Sequence, residues 1–126
     1  MPNKNIGNNS KRVLIYSPLG KKYIDYLYGR FSNSGYWEGI KRLEFYDFDN
    51  ALARVREGGI GGVISFEYRG LEEKTREFLF TIVREFPEII NFYLCQTSAM
   101  RYDLEKIGVY ADLDDFGDFL DRVRQP

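Results

Sequence analysis

From Lys11 onward short apolar runs alternate with stretches of helical periodicity, and no other feature limits the fold of this chain so narrowly. Such alternation is the signature of βαβ units around a mostly parallel sheet. The first run, Arg12 to Tyr16, is continuous and branched, as a strand buried on both faces should be, and it stops at Ser17-Pro18-Leu19-Gly20. Ile24, Leu27, Tyr28 and Phe31 then recur at helical spacing. Residues 42–48 alternate apolar with polar, which predicts an edge strand with one wetter face. A short helix through Ala51, Leu52 and Val55 follows, capped by Asp49 or Asn50 and ended at Gly58-Gly59. The third strand is Gly62 to Phe66. Residues 71–86 read as a helix with Phe78, Leu79, Ile82, Val83 and Phe86 on its buried stripe, stopped by Pro87. A fourth strand over 89–95, a short helix over 100–107 and a fifth strand over 109–113 complete the alternation. Asp114 or Asp115 then caps a last helix, where Phe116, Phe119, Leu120 and Val123 share one face. Five such units with right-handed crossovers predict a doubly wound, flavodoxin-like parallel sheet of order 2-1-3-4-5 with helices on both faces.

At 126 residues the chain has the size of one ordinary domain, and 44% hydrophobic with 29% charged residues places it among globular proteins. Residues 1–10 are polar and aperiodic, so the expectation is a disordered N-terminal segment followed by a single domain over 11–126. The net charge of -1 gives no electrostatic footprint for nucleic acid. No apolar run approaches the roughly 20 residues needed to span a bilayer, and nothing resembles a signal peptide, so the expected location is the cytoplasm. With no histidine, catalysis by imidazole and His-ligated metal sites are excluded. The lone Cys95, inside an apolar run, reads as an inert core thiol. Aromatic residues make up 17%, with ten Tyr and ten Phe, more than a core of this size uses, so some rings are expected at the surface.

In a doubly wound sheet, chemistry sits at the carboxyl ends of the strands, here Tyr16-Ser17-Pro18, Phe66-Glu67-Tyr68, Gln96-Thr97-Ser98 and Asp112 to Asp115. The order of elements over 11–124, the lead-in Phe86-Pro87-Glu88-Ile89-Ile90 to strand four, and the Asp-rich step before Phe116 resemble the receiver family of two-component signalling. That resemblance implies an acid pair after strand one for Mg²⁺, a nucleophilic Asp ending strand three, a hydroxyl after strand four and a Lys after strand five. A carboxylate must attack phosphorus, a hard cation needs oxygen ligands, and a cation must neutralise the acyl phosphate. The matching positions are Ser17 and Pro18, Phe66 with Glu67 beside it, Thr97 or Ser98, and Asp114. Only the hydroxyl is kept. A one-residue slip along a strand turns a side chain to the other face, which weighs against Glu67 as a substitute nucleophile. The resemblance thus implies a degenerate pseudo-receiver with no catalytic residue, no metal and no cofactor, one that docks a protein partner.

A second reading uses the turn from Ser17 to Lys22 as a small-ligand or nucleotide site, its lysines near a helix start. It lacks the glycine spacing of a phosphate-binding loop, and Pro18 removes a donor. The carboxylates Asp112, Asp114, Asp115, Asp118 and Asp121 form no calcium loop and read as caps and a solvated helix face. Two surfaces compete for docking. One comprises Tyr23, Tyr26, Tyr36 and Trp37, rings that serve either as interface anchors or as a satellite of the core. The other carries Tyr110 and Phe119 on the last strand and helix, a face through which the receiver resemblance implies that a homodimer can form.

Overall fold

The computed structural model describes residues 11–33, 35–95 and 97–125; the segment 1–10 expected to be disordered lies outside the described residues. Strand β1 (Arg12–Tyr16) leads to α1 (Lys22–Arg30), β2 (Lys41–Phe45), α2 (Phe48–Arg56), β3 (Gly62–Phe66), α3 (Glu72–Glu85), β4 (Ile90–Leu94) and α4 (Ser98–Lys106). A 3₁₀ turn (Leu113–Asp115) then enters α5 (Phe116–Arg124). All pairings are parallel and the order is β2-β1-β3-β4. Among the described residues β2 is bonded on one side only, as its alternating sequence predicts.

Side chains alternate across each strand, so the two faces of the sheet build separate cores. Val13, Ile15, Ile64, Phe66 and Phe92 pack with Ile24 and Leu27 of α1 and with Phe116, Phe119, Leu120 and Val123 of α5. Leu14, Tyr16 and Val63 face the other way, against Ala51 and Val55 of α2 and Phe78 and Ile82 of α3. Glycine is required at position 62 by close approach: a Cβ there would lie 2.7 Å from the Val123 side chain, so α5 rests directly on β3.

The expected fifth strand is reduced to one bridge, Phe92 with Tyr110. Tyr110 N–H donates to Asn91 O at 2.9 Å and Tyr93 N–H to Tyr110 O at 2.8 Å, and there pairing stops. The cause is Asp112, whose carboxylate accepts from Asp114 N–H at 2.9 Å and bends the chain into the 3₁₀ turn. A similar competition shortens β2. Asp47, not Asp49 or Asn50, caps α2 by accepting from Asn50 N–H at 2.9 Å, so the helix begins inside the segment read as strand. Thr97 caps α4, which therefore starts two residues earlier than its periodicity suggests.

Candidate functional site at the strand ends

Ser17 is fully buried just beyond β1, where its N–H donates to Phe45 O at 2.9 Å. Its hydroxyl donates to Gly20 O at 2.6 Å, which uses its single proton, so the short bond it shares with the Tyr68 hydroxyl has Tyr68 as donor. Tyr68 is itself buried, and burial pushes its hydroxyl pKa up. The Tyr23 ring closes over it edge-on at 4.8 Å, with Phe66 a further 6.2 Å contact of Tyr23. The crevice between the ends of β1 and β3 is therefore filled by Tyr68, Tyr23 and Phe66 rather than lined by carboxylates.

Phe66 and Glu67 point to opposite faces. Phe66 enters the core between α1 and α5, while Glu67 is buried toward α3. One Glu67 carboxylate oxygen accepts from Arg76 Nε at 2.6 Å and from the Tyr93 hydroxyl at 3.0 Å. Tyr93 also shares a 3.0 Å hydrogen bond with Thr75. Burial, partly offset by Thr75 and reinforced by Glu67, raises the Tyr93 pKa well above that of a free phenol. This carboxylate is a buried anchor that ties β3 to β4 and α3.

The remaining positions are engaged locally. Thr97 Oγ accepts from Met100 N–H at 3.3 Å as the cap of α4. Asp114 is exposed on the 3₁₀ turn and donates its N–H to Asp112. Pro18 lies in a turn closed by Gly20 N–H donating to Ser17 O at 3.3 Å, and Lys21 pairs with Asp25 at 3.7 Å and Glu44 at 3.8 Å. Asp118 and Asp121 are likewise occupied, by the Tyr110 hydroxyl at 2.8 Å and by Arg124 at 2.7 Å. Among the described residues no group of three acidic or cysteine side chains is placed to hold a metal ion.

The aromatic surfaces divide. Tyr23 and Tyr26 are exposed on α1, 43% and 56% respectively. Tyr36 and Trp37 are half-buried: the Trp37 indole donates to Phe31 O at 3.0 Å and its ring meets Phe116 at 5.4 Å, while Tyr36 meets Phe31 at 5.0 Å. Arg124 at the end of α5 holds this loop by donating to the carbonyls of Gly35, Tyr36 and Glu38. Phe119 offers no docking surface, because the apolar stripe of α5 turns it fully into the core; Tyr110 stays half-exposed beside it. Sequence reasoning placed Tyr68 at the end of strand three without giving it a role, and it missed Arg76 and Tyr93. The signal for Tyr68 was its place two residues beyond Phe66, which returns it to the crevice side of β3.

Solved structures share this architecture. The Francisella response regulator 1452 receiver domain superposes with a TM-score of 0.63 at 14% identity, covering 90% of this chain and 96% of its own. The fold is receiver-like. A two-component transcriptional regulator AraC from Clostridium phytofermentans has a TM-score of 0.60 at 17% identity, over 90% of this chain and 91% of that one. Vibrio cholerae chemotaxis protein CheY4 gives 0.58 at 13%, over 89% and 97%. No family model matches the sequence, and no curated protein does. The receiver-like likeness is one of fold, and among the described residues no helix is long and apolar enough to cross a membrane.

Proposed function

We propose that this chain is a pseudo-receiver: a cytoplasmic signalling or scaffolding domain that transfers no phosphoryl group, is not an enzyme and acts through contacts with other proteins. The observation that supports it is the seat of Tyr68. Its ring and that of Tyr23 occupy the space between β1 and β3, and its hydroxyl donates to Ser17, where the resemblance would put a Mg²⁺ ligand. Attack on phosphorus needs an accessible carboxylate with a cation to neutralise the product. Phe66 has no such group, and Glu67 is buried under Arg76 and Tyr93. The exposed rings of Tyr23 and Tyr26 suit partner docking, since aromatic anchors bury much area at little entropic cost.

Intact-mass spectrometry after incubation with acetyl phosphate and Mg²⁺ tests the chemical half. The expected spectrum is that of the unmodified chain. A species heavier by one phosphoryl group, abolished by Glu67→Gln, would refute the proposal.

A further inference from the structure

Strand β2 carries a self-complementary edge. Lys41 N–H donates to Lys11 O, and Phe45 O accepts from Ser17 N–H, so the backbones of residues 41, 43 and 45 point toward β1. Those of Arg42 and Glu44 therefore point outward, to the side on which β2 has no neighbour among the described residues. Their side chains share the α1 face. Arg42 stacks its guanidinium on Tyr28 at 4.5 Å and Trp37 at 4.8 Å and makes no ion pair among the described residues. Glu44 is held by the hydroxyls of Tyr28 at 2.6 Å and Tyr46 at 2.8 Å, has Lys21 at 3.8 Å as a loose ion-pair partner, and retains acceptor capacity on both oxygens.

We infer that the occupant of this edge is a second copy of the chain, its β2 running antiparallel about a two-fold axis at Leu43. In that register Arg42 lies opposite Glu44 of the other copy, and Glu44 opposite its Arg42. Both are pairs whose outward N–H and C=O groups bond to each other, and Leu43 meets Leu43 in the closer, non-hydrogen-bonded position between them. Moving the axis to Arg42 sets Arg42 against Arg42, and moving it to Glu44 sets Glu44 against Glu44, so charge selects the register at Leu43. Half-exposed Leu43 and Phe45, on the α2 face, gain cover in the same step. Charged side chains that guard an edge against indiscriminate pairing here permit one partner. This inference concerns a different part of the molecule from the strand-end crevice and holds whether or not that crevice is inert.

Sedimentation of the whole chain over a concentration series should show a monomer–dimer equilibrium. Arg42→Glu should weaken it roughly tenfold or more, and Arg42→Glu combined with Glu44→Arg should restore it. In a Cys95→Ser background, Leu43→Cys should form a disulfide-linked dimer under mild oxidation, because a non-hydrogen-bonded antiparallel pair has the Cα spacing a disulfide needs. Circular dichroism checks that each variant is folded. A chain that stays monomeric at every concentration overturns the inference. So does a dimer that survives Arg42→Glu while Leu43→Cys fails to crosslink.

Discussion

Tyr68 and Tyr16 are both buried phenols, yet only Tyr68 has a hydroxyl partner among the described residues. Tyr68→Phe should cost about 1 kcal/mol of stability in urea unfolding, because Ser17 loses its donor. Tyr16→Phe should cost nothing and can stabilise, since it removes a polar atom that is buried without a partner. Burial, with Asp47 and Asp49 adding to it, pushes Tyr16 from 10.0 up to about 12. The folded state holds that proton more tightly, so the contribution is intact below pH 10.0 and is lost as pH rises toward about 12. Titration of the unfolding midpoint through that window should show a fall that is smaller in Tyr16→Phe. At Glu67, removing the cation leaves a buried carboxylate facing a phenol. Arg76→Ala should therefore cost about 2 kcal/mol, less than for a fully buried pair because the Arg76 side chain is 42% exposed. A loss below that of Tyr68→Phe would contradict the anchoring role given to Glu67.

Elements governed by periodicity were legible in the sequence; elements governed by a single side chain or a distant contact were not. The stripes of α3 and α5, the continuous apolar run of β1 and the mostly apolar run of β3 each declare their buried faces through several residues at once. The fifth strand failed because one carboxylate, Asp112, offers the backbone a turn that its β-like neighbours cannot outbid. The loop carrying Tyr36 and Trp37 was ambiguous for another reason. Its anchor, Arg124, lies 88 residues from Tyr36, and no local pattern announces a fork of that reach. Trp37 is the chain's one tryptophan, which makes its emission a direct reporter on that loop. Arg124→Ala should shift the emission to longer wavelength at unchanged helix content, as the indole loses its seat against Phe116. An unmoved spectrum would mean that packing alone holds the loop.

At the scale of the whole molecule, the fold and the site were legible to different degrees. The residues at the strand ends, Ser17, Pro18 and Asp114 among them, are matters of identity that the sequence states outright, and their match to receiver positions is what the resemblance implies. What fills the crevice could not, because Tyr23, Phe66 and Tyr68 meet only when β1, α1 and β3 are assembled. We propose that a receiver-like scaffold whose strand-end crevice is filled by Tyr23, Phe66 and Tyr68 binds no ion or phosphoryl group there, and that is the central claim. The most direct test is an amide NMR spectrum of the labelled chain, recorded before and after addition of Mg²⁺ and then beryllofluoride, which mimics a phosphorylated carboxylate. The account predicts no shift at Ser17, Glu67, Tyr68 or Thr97 beyond that caused by matched ionic strength. Saturable shifts converging on Ser17, Glu67 and Thr97 would contradict it and show that the crevice opens to the chemistry of a working receiver.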